Sequence, residues 1–232
     1  MHKKFYEPVD THAHIKYYCM HESKFVSYPI FEVKTMTYAE QILNMVNNNN
    51  GTVTSAQVTK AGINRQHLKI LVDKGVLERS ERGVYMIPTN FDDEMFNIQS
   101  RYKRGLFSHD TALFLLGLTD RTPIKYTITF PLGYNTSSLK SEKVKYYRVK
   151  DELYELGVIT GKSPGGNAVR LYNAERTLCD VLKGRSGTDI QIVTEAFKRY
   201  AKLDNRDIPL ISKYAKFLRV DKKLRSYLEV LL

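Results

Sequence analysis

The segment that decides the fold is residues 54–87, which read TSAQVTKAGINRQHLKILVDKGVLERSERGVYMI. Thr54 or Ser55 can act as the N-cap of a short helix, because a hydroxyl can accept an unpaired N–H of the first turn. Asn64 can cap a second helix, which Gly75 ends and whose apolar residues recur with the spacing of one buried face. The segment therefore predicts two consecutive short helices.

A hairpin and a preceding helix complete the pattern. Residues 76–79 and 84–87 are rich in strand-forming side chains and flank a charged turn that contains Gly83. Upstream, Thr37 can cap a helix whose apolar side chains, over residues 38–46, fall on one face. Three helices and a hairpin within about 50 residues are the plan of a winged helix-turn-helix, which we predict for residues 36–90.

Such a fold is suited to reading DNA. A recognition helix presents its N-terminal residues to the major groove, where arginine pairs with guanine and asparagine or glutamine with adenine. Arginines of the wing are placed for phosphates or for the minor groove. The candidate DNA-binding residues are Thr54, Ser55, Asn64, Arg65, Gln66, Lys69, Arg79 and Arg82. The alternative is a winged helix used for protein contacts, with Asn64 acting only as a cap.

Residues 91–232 predict a second, larger domain. An acidic helical connector over 91–102 precedes a helix over 109–118, for which Ser108 is the expected N-cap. The pattern predicts strands over 124–130, 144–149, 155–160 and 168–172, and helices over 174–183, 188–202, 208–218 and 222–231. The predicted fold class is therefore α+β, with the N-terminal winged helix-turn-helix followed by a larger mixed α/β domain that ends in helices.

Residues 1–35 do not share these patterns. They hold four of the six histidines and show no sustained helical or strand period, so we treat them as an N-terminal extension of unclear role. The chain has no run of about 18 apolar residues, which excludes a membrane-spanning helix, and its start lacks the apolar stretch of a secretory signal. Cys19 and Cys179 lie far apart, as expected for reduced thiols of a cytoplasmic protein.

The net charge of +11 points to an anionic partner. Most of the excess lies in residues 91–232, which hold 25 Lys and Arg against 17 Asp and Glu, and the closing helices carry a positive face. Nucleic acid is the first expectation and an anionic membrane surface the second, since charge alone does not distinguish them.

Three short motifs imitate catalytic or phosphate-binding sites, and each lacks what its chemistry needs. A metallohydrolase needs further ligands at distant strand ends, a nuclease core needs a packed hairpin, and a phosphate loop needs a correctly spaced glycine before a helix. The motifs are Asp10-Thr-His12-Ala-His14, Glu32-Val-Lys34 downstream of Asp10, and Lys162-Ser-Pro-Gly-Gly166. We therefore predict no catalytic residue, no metal and no cofactor.

A further polar set allows two interpretations. His109 and Asp110, together with Glu175, Arg176 and Asp180, could form a catalytic group. The same residues are equally those of a buried or interfacial ion network, with Asp110 stabilised at a helix N-terminus. We favour the structural interpretation.

Three motifs of the second domain resemble a known family. Together with the preceding winged helix, residues 108–113 (SHDTAL), 117–123 (GLTDRTP) and 172–180 (YNAERTLCD) look like those of the AbiEi antitoxins, over about residues 36 to 232. The resemblance implies one component of a bicistronic, type IV toxin–antitoxin system that acts in abortive infection against phage. Such proteins repress their own operon by binding inverted repeats through the N-terminal domain. Their C-terminal domain counters a nucleotidyltransferase-like toxin, AbiEii, without stable complex formation.

The resemblance leaves the antitoxin mechanism open, so basic residues of 91–232 are the candidates for that task. They are Lys145, Arg148, Arg176, Lys198, Arg199 and Lys202. Two alternatives remain: a stand-alone winged-helix regulator with a C-terminal ligand- or nucleic-acid-binding domain, and a winged-helix-targeted nucleic-acid enzyme. A nucleotidyltransferase gene immediately downstream would argue against the first, and an assay with nucleic acid and divalent metal tests the second.

Overall fold

The computed structural model describes residues 20–21, 24–25, 36–88, 93–137, 139 and 144–231. The chain divides into two compact units, Met1–Thr37 and Tyr38–Leu232. In the first unit, β1 (Met20–His21) and β2 (Lys24–Phe25) pair antiparallel. The motif residues Asp10, His12, His14, Glu32 and Lys34 lie outside the described residues, and so does Cys19.

The second unit begins with three helices and a small sheet. Their order is α1 (Tyr38–Asn48), β3 (Thr52–Thr54), α2 (Ser55–Lys60), α3 (Gln66–Asp73), β4 (Glu78–Glu81) and β5 (Val84–Met86). The strands form an antiparallel sheet in the order β3-β5-β4, so β4 is an edge strand. Ile42, Val46, Val58 and Leu68 are fully buried between the helices and the sheet, as the apolar spacing predicts.

Three details of this part differ from the prediction. The hairpin strand predicted over 76–79 starts only at Glu78, because Val76 and Leu77 lie in the bend after α3. Strand β3 was not expected, because three residues after Gly51 carry too little pattern; it exists because β5 pairs with it. Ser80 and Glu81 were predicted in the turn but belong to β4, and the turn consists of Arg82 and Gly83. The register shifts between Arg79 and Glu81, which marks a β-bulge at Ser80.

A mixed five-stranded sheet follows in the order β8-β7-β6-β10-β9. Its strands are β6 (Leu106–Phe107), β7 (Tyr126–Pro131), β8 (Val144–Val149), β9 (Val158–Lys162) and β10 (Ala168–Tyr172). The pairs β7–β8 and β6–β10 are parallel, and the other two are antiparallel. The accompanying helices are α4 (Glu94–Arg101), α5 (His109–Leu115), α6 (Asp151–Tyr154), α7 (Ala174–Val181), α8 (Ile190–Tyr200), α9 (Ile208–Leu218) and α10 (Asp221–Leu231).

The described residues of this part form two large apolar clusters and a smaller one around Leu106, Tyr154 and Tyr172. One large cluster joins α4 and α5 to the sheet through residues such as Ile98, Phe107 and Phe130. The other large cluster packs α5 and α7 against the closing helices through residues such as Leu178 and Phe197. The α+β class and the closing helices predicted from the sequence are confirmed, whereas the domain boundary at residue 90 stays a prediction.

Several predicted bounds in this part were wrong. The strand expected over 155–160 is β9, which starts at Val158, because α6 and a turn occupy the preceding residues. Strand β6 was missed, since two residues show no period. β7 does not alternate, because as an interior strand it is buried on both faces, while Ile124, predicted within it, is exposed. No helix in the described part of the chain is both long and apolar enough to cross a membrane.

Candidate nucleic-acid interface

The N-terminal turn of α3 carries polar side chains on the outside of an apolar core. Leu68 and Leu71 are buried, whereas the four predicted base-reading residues are exposed: Asn64, Arg65, Gln66 and Lys69. Asn64 Oδ1 accepts the backbone N–H of Gln66 at 2.9 Å, as a capping side chain does. Arg65, the residue before α3, already has a helical backbone and makes no side-chain capping hydrogen bond, so the capping contact comes from Asn64.

Arg65 is oriented by the neighbouring helix. Its Nε donates to Thr59 Oγ1 at 2.8 Å, and the same hydroxyl donates to the Ser55 carbonyl at 2.8 Å. The two Nη groups of Arg65 make no hydrogen bond to any described residue. The guanidinium is thus held by one nitrogen and leaves its paired donors open, which suits bidentate contact with a base or a phosphate. The sequence did not indicate that Thr59 orients Arg65, because the two residues lie six positions apart, on either side of the turn between α2 and α3.

Thr54 and Ser55 lie where α2 begins, close to the hairpin of β4 and β5, which we call the wing. The Thr54 hydroxyl accepts the N–H of Gln57 at 3.2 Å and the Gln57 side chain accepts the N–H of Thr54 at 2.7 Å, a capping box. Thr54 is thus confirmed as the N-cap, and its hydroxyl is already engaged in hydrogen bonds with Gln57. The N–H of Ser55 donates to the Gly83 carbonyl at 2.8 Å. Gly83 has φ +82°, and a Cβ there would lie 2.9 Å from Ser55 Oγ, so glycine allows the wing turn to approach α2.

The wing presents two arginines. Arg82 lies exposed in the two-residue turn and makes no hydrogen bond or ion pair with any described residue. Arg79, also exposed, donates from Nε to the Glu81 carbonyl at 3.3 Å. Two further exposed lysines that the sequence analysis did not single out are Lys60, at the end of α2, and Lys74, at the end of α3.

The candidates on β8 differ in their availability. Lys145 Nζ donates to the Ser186 carbonyl at 2.5 Å and lies 5.4 Å from the Tyr147 ring centroid. Its ammonium therefore holds the loop between α7 and α8. Arg148 is exposed.

The candidates at the end of α8 border a shallow surface groove of about 420 Å³, lined by one face of that helix. Lys198 and Lys202 are exposed and form no ion pair with any described residue. Arg199 is instead engaged: it pairs with Asp120 and, at 2.6 Å, with Glu195. Lys198, in α8, and Lys202, in the turn after it, can therefore meet an anionic partner without first breaking an ion pair.

Comparison with known proteins finds a family match in the N-terminal part of the second unit, Tyr38–Leu232. Residues 40–88 match the AbiEi antitoxin family. The matching sequence model is described as "Transcriptional regulator, AbiEi antitoxin". This match confirms the resemblance for residues 40–88, from α1 to β5, and supports a regulatory, DNA-binding role. The three motifs of residues 108–180 lie outside the match, so the resemblance of the larger domain stays a prediction. No curated protein matches the chain.

One similar solved structure is the RV2827C protein from Mycobacterium tuberculosis. It aligns with a TM-score of 0.46 and 15% sequence identity, over 81% of this chain and 78% of that chain.

Outside the AbiEi-matched segment, the candidate Arg176 proves to be part of the core. Its side chain is fully buried, and its Nε donates to Asp180 Oδ2 at 2.9 Å. Nη1 donates to the carbonyls of Leu153 and Leu156, at 2.5 and 3.2 Å. Nη2 has no hydrogen-bond acceptor among the described residues, while the guanidinium lies 4.4 Å from the Tyr172 ring centroid. A side chain held in this way has no surface with which to contact a partner.

Asp180 is the counter-charge of this network. Burial raises its pKa, but the charges of Arg176, His109 and Lys183 outweigh burial, so the pKa lies below its usual value. Lys183 Nζ donates to Asp180 Oδ1 at 2.7 Å. Glu175, predicted in the same set, instead accepts the hydroxyl of Tyr200 at 3.0 Å. These contacts favour the structural interpretation of the polar set.

His109 lies at the start of α5, and the charge of Asp180 acts on it. Its ring stacks on Tyr147, with centroids 4.1 Å apart, and its Nδ1 lies 3.1 Å from Ser108 Oγ. Ser108 occupies the predicted N-cap position, but it makes no capping hydrogen bond; its Oγ accepts the hydroxyl of Thr129 at 2.8 Å. Asp110 accepts the hydroxyl of Thr188, which ties α5 to the loop before α8. Burial lowers the pKa of His109 to about 4.

We expect this imidazole to make the fold sensitive to mild acid. The unfolded chain binds a proton near the usual pKa of 6.5, but the folded chain binds it only near pH 4, so unfolding takes up a proton between these values. The stability that His109 contributes is complete above pH 6.5 and falls by about 3 kcal/mol as the pH drops to 4. The measurement is the free energy of unfolding from urea titrations at pH 7.5, 5.5 and 4.

The comparison variant is His109→Asn, because asparagine tolerates the left-handed backbone found here, φ +49°. It should lose less stability than the wild type over the same pH range. Parallel curves for the two proteins would show that the imidazole does not titrate differently on folding.

The remaining predicted motifs have structural roles where they are described. Residues 162–166 lead from the end of β9 into a turn before β10, and no helix follows them, so they lack the helix that a phosphate loop needs. Cys179 is fully buried, and burial raises the pKa of its thiol to about 12. The described part of the chain holds no group of three His, Cys, Asp or Glu residues that could bind a metal.

Proposed function

We propose that this chain is a repressor that binds double-stranded DNA through α3 and the β4–β5 wing and serves as the antitoxin of a bicistronic pair. The observation that carries the proposal is the exposed turn Asn64–Lys69, which displays amide and guanidinium donors outside an apolar core in the AbiEi-matched segment. Such donors at a helix N-terminus are suited to the base edges of the major groove.

The residues divide into two tasks. Arg65 and Gln66, at the helix start, read base edges, with Arg65 pre-oriented by Thr59. Arg79 and Arg82 contact phosphates beside the groove and fix the register of the protein on the duplex. The start of α2, with Thr54 and Ser55, contacts the sugar–phosphate backbone of the DNA close to the wing turn.

The operator is an inverted repeat upstream of the chain's own operon, so two copies bind one site and their contacts add. The larger domain counters a nucleotidyltransferase-like toxin without forming a stable complex. Arg148, Lys198 and Lys202 are the candidates for that task, since they are exposed. The other three candidates have structural tasks. Arg176 pairs with Asp180 in the core, Lys145 holds the loop before α8, and Arg199 pairs with Asp120 and Glu195.

Arg65→Ala tests the base-reading task. Loss of a bidentate contact should weaken operator binding by about 1–3 kcal/mol and relax base preference at one position. The control is Lys74→Ala, which removes an exposed cation from the other end of α3 and should leave base preference unchanged. The measurement is fluorescence anisotropy with single-base operator variants. An equal loss on operator and random DNA would make Arg65 a phosphate contact.

The proposal as a whole is tested with the full chain and a labelled duplex from its own upstream region. At low salt this duplex should bind more tightly than a shuffled duplex of the same composition, and the full chain should rescue cells that express the neighbouring toxin gene without co-purifying with the toxin. Equal affinity for both duplexes would refute sequence-specific repression, and failure to rescue would refute the antitoxin role.

A further inference from the structure

Helix α4 connects the AbiEi-matched segment to the mixed sheet. Its buried side chains, such as Met95 and Ile98, belong to the sheet's apolar cluster. Asp93, Asn97 and Arg101 recur at intervals of four and therefore lie on one side of the helix. Each of these three makes a contact outside the helix, and two of the contacts are with the wing.

The helix is fastened to the sheet by one side-chain amide. Gln99 Oε1 accepts the N–H of Arg170 at 2.6 Å, and Gln99 Nε2 donates to the Arg170 carbonyl at 2.8 Å. The side chain thus pairs with the backbone of β10 as a neighbouring strand would. Gln99 Nε2 also donates to the Gly105 carbonyl at 2.9 Å. Because Gln99 lies in α4 and Gly105 directly precedes β6, this bond connects the two ends of the turn between these elements.

The turn between β9 and β10 fastens the start of the helix. Asp93, the N-cap of α4, accepts from Phe96 N–H, from the Ser163 hydroxyl and, at 2.8 Å, from the Asn167 side chain. A Cβ at Gly165 would lie 2.6 Å from Asp93 Oδ2, so only glycine permits this approach. The motif that resembles a phosphate loop therefore surrounds a carboxylate of the protein itself.

The same turn reaches the AbiEi-matched segment. Asn50, between α1 and β3, donates from Nδ2 to the Gly166 carbonyl at 2.8 Å. The residues that follow Asn50 enter β3, which pairs with the wing strand β5. The wing is therefore connected to the mixed sheet through β3 as well as through α4.

Edge strand β4 has side-chain contacts with α4. Asn97, which is 4% exposed, donates from Nδ2 to Ser80 Oγ at 2.9 Å, at the β-bulge of the wing. Arg101 Nη1 lies 3.8 Å from Oε2 of Glu81, the residue after Ser80 in β4. A bulge alters the twist of its strand and redirects the neighbouring side chains, and here Arg79 and Arg82 lie on either side of it.

We infer that Asn97 is a positioning residue for DNA binding: through Ser80 it fixes the wing so that Arg79 and Arg82 reach the duplex while α3 is in the groove. The inference rests on the proposed function and adds to it a residue outside the DNA-binding surface. Within the three-stranded sheet, β5 is paired on both sides, whereas β4 is paired only with β5 and has an open outer edge. The contact from α4 restrains the edge strand that carries Arg79.

The test is the salt dependence of operator binding by the full chain with Asn97→Ala. Each phosphate contact contributes about 0.9 to the slope of log K against log salt, so loss of both wing contacts should make the slope shallower by about 1.8. Ser80→Ala, which removes the same hydrogen bond from the other partner, should give the same change. The double variant Arg79→Ala/Arg82→Ala should match it, and adding Asn97→Ala to the double variant should change nothing further.

A control separates positioning from lost stability. Tyr200→Phe removes a hydroxyl that donates to Glu175 and accepts the N–H of Asp207, far from the wing in sequence, so it should lower stability and leave the salt slope unchanged. A wild-type slope for both Asn97→Ala and Ser80→Ala, or for the double arginine variant, would overturn the inference. Failure of the wild-type chain to bind the duplex would instead refute the proposed function.

Discussion

Replacing Asp180 with alanine is expected to lower the free energy of unfolding by about 3–5 kcal/mol. The change leaves the Arg176 guanidinium in the core without its counter-charge, and water cannot replace the carboxylate at a side chain that is fully buried. Lys183 also loses its partner, although it is partly exposed and can be solvated. The measurement is urea unfolding followed by circular dichroism, with the midpoint and slope compared between variants.

Asp120→Ala is the matched control, because it also removes an aspartate that pairs with an arginine. Asp120 is largely exposed, with 84% of its side chain accessible, and its partner Arg199 keeps a second carboxylate, Glu195. Exposed ion pairs contribute little to stability, so this variant should unfold nearly as the wild type does. Similar losses for the two variants would contradict a core role for the Arg176–Asp180 pair.

Raising the salt concentration from about 50 to about 200 mM is expected to weaken operator binding by about 500-fold for each protomer. The estimate follows from about five phosphates neutralised by each protomer, which gives a slope of about −4.5 in log K against log salt. Besides the base-reading Arg65, five exposed cations on α2, at α3 and on the wing are available for these contacts: Lys60, Lys69, Lys74, Arg79 and Arg82. Bound counterions are released when these side chains replace them on the DNA.

The measurement is a series of anisotropy titrations at five salt concentrations, with the operator and a shuffled duplex. The slope should be similar for both duplexes, because phosphate contacts carry no sequence information. A slope between 0 and −1 on the operator would mean that the cations of this face do not meet phosphates, and it would contradict the proposed mode of binding.

The elements that could be predicted are those whose signals lie close together in the chain. The bounds of β8, β10 and α9 follow the sequence pattern to the residue. The capping box of Thr54 and Gln57 joins residues three apart, so its chemistry is complete within one turn. The exposed side of α3 was likewise predictable, because the spacing of Leu68 and Leu71 determines which side faces inward.

The features that could not be predicted depend on distant partners. Strand β6 has two residues and exists because β7 and β10 lie on either side of it. The sequence places Arg176 both in a buried or interfacial ion network and among the antitoxin candidates, since it does not reveal that the carbonyls of Leu153 and Leu156 accept hydrogen bonds from it. Asn97 carried no signal at all, because its partner Ser80 lies 17 residues away, at a bulge.

Periodicity and capping act over a few residues, so the order of side chains along the chain was enough for the α+β class, most helices and the outward face of α3. Which cations are free and which are engaged follows instead from the packing of distant elements, because an ion pair or a buried hydrogen bond needs both partners in place. Lys198 and Arg199 are neighbours in the chain, yet the Thr119–Arg121 loop supplies a carboxylate to the second and none to the first.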